Sequence, residues 1–212
     1  MFGFMFNLKK ILLFLLVFLF LVPVCGFFLF HYTSSPGVRP EGLKLQNGDL
    51  ILRRGRSIES FAIFLADKNR DFSHIGIVAI EDGVPYVIHA VPRESGEIPE
   101  RVRKEKPETF LSPEKASRFA VYRSVFPANE LEKAAAKALE FYQNRVEFDN
   151  AYDLASDQKL YCTELVLKAF QHIPLDTNGF ELQEVRIFSG SNKILFPGTF
   201  VKSPQFFLLY AR

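Results

Sequence analysis

A two-residue turn signal between two apolar runs constrains this chain more than any other feature. The runs His74–Ile80 (HIGIVAI) and Pro85–Ala90 (PYVIHA) flank Glu81-Asp82-Gly83-Val84. Asp-Gly in that position marks a tight hairpin, because both central residues of the favoured turn need a positive φ. A turn centred on Asp82-Gly83 sets residue 81 opposite 84, 76 opposite 89 and 74 opposite 91. Side chains alternate across a strand, so 74, 76 and 89 share one face. His74 and His89 are then diagonal neighbours, with Cβ atoms roughly 7 Å apart or less. A one-residue shift of the turn would set them directly opposite, still on one face.

The rest of the soluble part reads as helices and short strands. Asp49–Arg53 follows the turn signal Asn47-Gly48 and reads as a buried strand. Ser57 caps a helix ending near Asp67, with Ile58, Phe61, Ala62 and Leu65 on one face. Residues 90–107, rich in Arg, Lys and Glu, read as a surface loop, the 91–107 portion being a possible lid. Ser112-Pro113-Glu114 opens a short helix, and Phe119–Arg123 is a strand. Asn129 caps a longer helix with Leu131, Ala134, Ala135, Ala138, Leu139 and Tyr142 as its apolar stripe. Leu160–Phe170 is a helix and Phe206–Ala211 a last strand. Without regular strand–helix alternation, the class is α+β, an antiparallel sheet packed with helices.

Ahead of this part, Ile11–Phe30 runs twenty residues without a charge. As a helix that is about 30 Å, enough to cross a bilayer. The run is long for a signal peptide, and Thr33, Ser34 and Ser35 make a poor cleavage site. Val24 before Cys25 does not suit a lipoprotein signal. The expected organisation is an N-terminal transmembrane anchor or uncleaved signal over 1–35, a linker over 36–45, and one folded domain over 46–212. Lys9 and Lys10 precede the span, which puts the domain on the extracytoplasmic side of a single-pass protein, periplasmic in a bacterium. With those two lysines set aside, the 26 basic residues fall to 24, matching the 24 acidic ones. A neutral domain has no broad electrostatic reason to bind nucleic acid. Two cysteines make neither a disulfide framework nor a Cys-rich zinc module.

Cys162 is the only cysteine of the soluble part and sits where a helix begins. A helix N-terminus carries partial positive charge and free N–H groups, which favour a thiolate and can hold an oxyanion. With the two histidines this makes a set for nucleophilic catalysis. Cys162 attacks a carbonyl, His74 takes its proton and later passes it to the leaving group, and His89 orients His74. Two His and one Cys can also hold zinc, but no HExxH or CxxC spacing supports a metal, and no cofactor is expected. Asp71, three residues before His74, contacts the site or only a loop. Glu164 points away from the nucleophile as a surface or structural partner. Asp149 and Asp153, four residues apart, either line a polar rim or cap local turns, the structural role being favoured, and Tyr161 either donates to an oxyanion or packs. His31 and His172 have no companions.

The ordered series GDLILRRGR (48–56), FSHIGIV (72–78), PYVIHA (85–90) and LYCTELVLKAF (160–170) resembles the permuted papain-like amidases of the YaeF/YiiX type, within the NlpC-like cysteine peptidase superfamily. FDNAYDL, upstream of the cysteine, fits the same pattern, and the likeness covers about residues 46–211. The resemblance implies a circularly permuted papain-like (NlpC-like) fold in which the histidine strand precedes the cysteine helix. It implies Cys162 as nucleophile, His74 as base and His89 at the third polar position, where relatives of this branch often carry glutamate. The expected activity is that of a membrane-anchored thiol hydrolase acting through a Cys162 thioester. Its substrate would be an amide in a peptide, a peptidoglycan-derived peptide or a lipid. Two alternatives accompany it. One is a lipid acyltransferase of the lecithin retinol acyltransferase-like type, which shares the Cys and His logic. The other is a peptide- or lipid-binding module without turnover.

Overall fold

A computed structural model describes Leu19 and residues 42–212, apart from 70, 93–99, 157 and 188–189. The expected membrane span Ile11–Phe30 lies, but for Leu19, outside these residues, as does His31. Among the described residues no helix is long and apolar enough to cross a membrane.

The hairpin forms in the register that the turn residues dictate. Strands β2 (His74–Glu81) and β3 (Val84–Val91) pair antiparallel from Glu81↔Val84 to Ile77↔Ile88. Asp82 and Gly83 take φ values of 51° and 78°, as this turn type requires. Gly76 lets the strands approach: a Cβ there would stand 2.5 Å from Val87 Cγ1 and 3.2 Å from His89 Cβ.

Around this hairpin the sheet extends on both sides. Strands β1 (Leu50–Gly55), β4 (Arg101–Glu105), β5 (Ala116–Ser124), β6 (Glu147–Phe148), β7 (Lys159–Leu160) and β10 (Phe206–Ala211) complete it in the order β10-β5-β1-β2-β3-β4-β6-β7. Every pairing is antiparallel except β6 with β7. Strands β8 (Leu182–Ile187) and β9 (Gly190–Leu195) form a separate hairpin. The helices are α1 (Ile58–Ala66), α2 (Pro107–Phe110), α3 (Ala128–Gln143), α4 (Cys162–Ala169) and α5 (Pro197–Lys202).

Strand alternation divides the sheet's two faces. Leu50, Leu52, Ile75, Ile77, Ile88 and Ala90 belong to the main core, with Leu131, Ala134, Ala135 and Ala138 of α3 and Leu165, Val166 and Ala169 of α4. The alternate residues Ile51, Val78 and Val87 form a smaller core under Phe110 and Leu111. Leu43 and Leu45, in the stretch expected as linker, pack against that second core. His74, His89 and Arg53 alternate with the main-core residues along the same strands, so they lie on the second face.

Several local expectations change. Residues 90–107 are not one loop, because β4 lies within them and pairs with β3. Only Val102 of β4 is a buried apolar residue, so the strand has almost no hydrophobic pattern of its own. The short helix forms at Pro107–Phe110, ahead of Ser112-Pro113-Glu114, which lies in turns. In α1 Ser57 caps the helix, its Oγ accepting from Ser60 N at 3.1 Å. Phe61, Ala62 and Leu65, however, point to solvent, with Phe61 and Leu65 45% and 50% exposed. In α3 the buried stripe includes Phe141, while Leu139 and Tyr142 are half-buried.

Candidate active site

Cys162 opens α4 directly after β7. Tyr161 is the extended N-cap residue, and its backbone N–H donates to Glu164 Oε2 at 3.3 Å. Glu164 is fully buried and also pairs with Lys168 Nζ at 2.9 Å. Burial pushes the Glu164 carboxyl up to about 7 against the pull of Lys168. It thus anchors the helix start, a structural role, from within the core and not at the surface. Thr163 Oγ1 donates to Leu195 O at 2.6 Å, tying the same turn to β9. These bonds hold the Cys162 position on both sides.

The Cys162 thiol is half-buried and free of any disulfide. Burial raises its pKa to about 11, while the backbone N–H groups of Ile75, Thr163 and Cys162 itself draw it down. The helix N-terminus acts in the expected direction, but desolvation outweighs it. The expectation of a net lowered thiol pKa is therefore corrected. The involvement of Ile75, the residue after His74, places the sulfur against the start of β2.

His74 and His89 are both buried, and His74 Nε2 lies 2.8 Å from His89 Nδ1. Their rings meet edge to face with centroids 5.1 Å apart. Phe110 stacks on His74 at 5.6 Å and meets His89 edge-on at 4.8 Å, closing the second face over both. Arg53 sits over the Phe110 ring at 4.4 Å and donates to Phe110 O at 2.6 Å. Burial lowers the His74 pKa well below 6.5, with further lowering from Arg53, His89, Lys115 and Arg103. Burial lowers His89 to about 4, although Glu105 pulls it upward. Both imidazoles are neutral at pH 7. The His74–His89 contact uses Nε2, which leaves Nδ1 of His74 for exchange with a thiol.

Cys162 and His74 line one cavity of about 310 Å³. Arg53, Arg56 and Lys115 contribute cationic groups to its wall, and Phe148, Tyr152, Ile194, Leu195 and Phe196 contribute apolar ones. The hairpin β8–β9 and the helix α5, which pattern reading of residues 171–205 did not find, supply part of this wall.

Three of the expected candidates thus converge, and the lesser ones separate. Asp149 accepts from Ala151 N at 2.9 Å and from Asp153 N, and Asp153 accepts from Ala155 N at 3.0 Å, so both cap turns. Tyr161 is buried, accepts from Leu195 N at 3.2 Å and packs on Tyr152 at 5.2 Å. Asp71 faces Arg118 at 3.5 Å and accepts from Arg54 through its backbone. His172 meets Gln171 at an exposed position.

Pattern reading missed Glu105, whose Oε2 lies 3.5 Å from His89 Nε2 and whose two oxygens lie 3.0 and 3.1 Å from Lys115 Nζ. With β4 unrecognised, no register connected it to His89. Among the described residues no three His, Cys, Asp or Glu side chains gather as a metal-ligand set.

This architecture has known counterparts. A crystal structure of metalloprotein YiiX from Escherichia coli O157:H7 superposes with a TM-score of 0.66, at 21% identity over 80% of this chain and 99% of that one. The uncharacterized protein YiiX of Escherichia coli strain K12 is 29% identical over 129 residues, 60% of this chain. That match spans 58% of the relative's length. The profile of the permuted papain-like amidase enzymes, the YaeF/YiiX or C92 family, matches residues 44–210. With the histidine strand ahead of the cysteine helix and the family's profile spanning nearly all of the α+β domain, this chain belongs to the permuted papain-like amidase family of the YaeF/YiiX type.

Proposed function

We propose that this protein is a membrane-anchored thiol hydrolase that cleaves an amide bond through a thioester on Cys162. The observation that carries this reading is the shared cavity: its wall holds both a half-buried thiol at a helix N-terminus and a neutral histidine whose Nε2 contacts His89. The thiol and the imidazole are both neutral at rest, so the proton moves as the sulfur attacks. His74 Nδ1 takes the Sγ proton while Sγ bonds to the carbonyl carbon. The carbonyl oxygen takes the negative charge and faces the N–H groups of the α4 start. When the C–N bond breaks, His74 returns the proton to the leaving nitrogen. His74 then deprotonates a water that hydrolyses the thioester and frees the carboxylic acid.

The anchor is residues 1–35, with the catalytic domain outside the cytoplasm. The substrate class is a peptide, a peptidoglycan-derived peptide or an amide-linked lipid. The test assays the full chain against these three classes beside Cys162→Ser and His74→Ala. Either substitution is expected to lower turnover by about 10³-fold or more with the fold retained. Turnover retained in either variant overturns the reading.

One observation favours lipid as substrate, either for hydrolysis or for transfer of the acyl group to a second lipid. Helix α1 and its cap Ser57 lend Ser57, Ser60 and Ile63 to the cavity, and the helix turns Phe61 and Leu65 to solvent. Exposed apolar groups next to a substrate cavity suit contact with an acyl-chain surface. Replacing both residues by serine is expected to lower activity on vesicle-borne amides and spare a short soluble amide. Equal loss on both removes the lipid reading. Mass analysis of products with and without a lipid acceptor separates transfer from hydrolysis.

A further inference from the structure

The site does not end at His89. Strand β4 pairs His89 with Arg103, so Glu105, two residues on, is the diagonal neighbour of His89 on the same face. His74, His89 and Glu105 form a line across three adjacent strands. Lys115, from the turn after α2, closes the line by contacting both Glu105 oxygens. His89 Nε2 is buried without a close hydrogen-bond partner, and Glu105 Oε2 faces it at 3.5 Å. Glu105 is itself only 13% exposed.

We propose that Glu105 is a positioning residue that sets the tautomer of His89, and through it that of His74, with Lys115 fixing the carboxylate. The inference rests on the Cys162–His74 reading above. Only one proton lies between His74 Nε2 and His89 Nδ1. For His74 Nδ1 to accept the thiol proton, His74 must carry its hydrogen on Nε2 and donate it to His89 Nδ1. His89 must then carry its own hydrogen on Nε2, where it meets a carboxylate. A neutral imidazole can hold its hydrogen on either nitrogen, and the partner of the other nitrogen decides which. A carboxylate accepts only, so it enforces the required form, and it steadies the imidazolium that forms during attack. Burial pushes the Glu105 carboxyl up, but its bonds to His89 and Lys115 outweigh this and hold it at about 2, so it stays ionised.

The charged groups around the line oppose each other. Arg53 on β1, Arg103 on β4 and Lys115 disfavour an imidazolium at His74, while Glu105 supports charge on His89. Removing Glu105 and removing Lys115 must therefore move the site in opposite directions.

The test is the pH profile of Cys162 alkylation by iodoacetamide in the full chain. In Glu105→Gln the plateau rate is expected to fall about tenfold or more, and the acid limb to move down by up to about one pH unit. In Lys115→Met the acid limb moves up. Glu105→Asp restores part of the rate. A merely structural ion pair predicts lower thermal stability in both variants with the acid limb unmoved, and that result overturns the proposal. Nitrogen-15 NMR of the histidines in the unsubstituted chain reads the tautomers without any variant. Both rings protonated on Nε2 is the expected result, and His89 protonated on Nδ1 is fatal to it. His74→Ala, run alongside, separates the two readings. If it leaves alkylation unchanged, the Cys162–His74 pair itself fails. If it abolishes the low-pH reactivity and Glu105→Gln changes nothing, only the role of Glu105 fails.

Discussion

His74 Nε2 and His89 Nδ1 lie 2.8 Å apart, from residues fifteen positions apart in the sequence, under a single phenylalanine. A hydrogen bond between two neutral imidazoles orders one donor and one acceptor. It gives the histidine beside the cysteine a fixed ring plane without a formal charge in contact with it. A carboxylate in the position of His89 would instead raise the pKa of its neighbour. His89 brings no such charge, and burial keeps His74 neutral.

His89 is expected to matter for turnover more than for binding. His89→Ala should lower kcat about 10²-fold with KM little changed, because an unoriented base fails only in the transition state. His89→Asn or His89→Gln supplies an acceptor oxygen and should recover part of kcat. Steady-state kinetics on any amide that the full chain turns over decide the point. An unchanged kcat in His89→Ala removes the orienting role.

Stability should fall as the solution is acidified below about pH 6.5. Both histidines have folded pKa values below their unfolded one, so the unfolded chain binds their protons first. Their contribution is present above pH 6.5 and is lost as pH falls. His89, lowered to about 4, accounts for about 3 kcal/mol of this on its own. Glu164, raised to about 7, opposes the trend between its unfolded value of 4.5 and 7, because there the unfolded chain is the less protonated. Below 4.5 that opposition ends, and Glu105, held at about 2, adds its own loss. The steepest decline therefore lies below about pH 4.5. Urea midpoints at pH 7, 5.5 and 4 measure it, and a flat series contradicts the assignment of buried neutral histidines.

Gly76→Ala tests how closely the hairpin is fitted around the site. The new Cβ would stand 2.5 Å from Val87 Cγ1 and 3.2 Å from His89 Cβ. Overpacking of this kind costs about 1–3 kcal/mol. Because the strain falls on His89, turnover per folded molecule should drop as well. A variant with wild-type melting and wild-type kinetics would mean that β2 and β3 have slack.

The pair Asp49–Arg123 should behave in the opposite way, with stability affected and the site spared. Arg123 Nε and NH2 donate to Asp49 Oδ1 and Oδ2 at 2.8 and 2.7 Å, and Asp49 is fully buried at the head of β1. Arg123→Ala leaves that carboxylate without its cation and is expected to cost about 3–5 kcal/mol. Calorimetry reads the loss, and Cys162 alkylation of the fraction that stays folded should match the unsubstituted protein.

The residues of the hairpin, the cap of α1, the helix that starts at Cys162 and the last strand were legible in the chain itself, whereas α3 starts at Ala128 after Pro127, ahead of the Asn129 expected as its cap. Each depends on neighbours within a turn or two: Asp82-Gly83 for the register, Ser57 for a cap, apolar period for a helix face. The register carried His74 and His89 to one face before any tertiary contact was known. Cys162 was legible as a residue type and a helix position, and its pairing with the histidines rested on their chemistry and the family resemblance, not on any local register.

The sequence by itself thus determined the antiparallel hairpin, the α+β class and the candidate trio with the family it resembles. Tertiary structure alone decided what surrounds them. Strand β4 has too little apolar pattern to announce itself, so Glu105 joins the line only through pairing with β3. The apolar stripe of α1 is plain in the sequence, but its period does not say which side faces the core, and Phe61 and Leu65 face outward. The helix N-terminus argues for a lowered thiol pKa, yet burial contributed by distant elements raises it. Local pattern comes from bonds within a few residues; burial, charge and proton position come from groups that only the folded chain brings together.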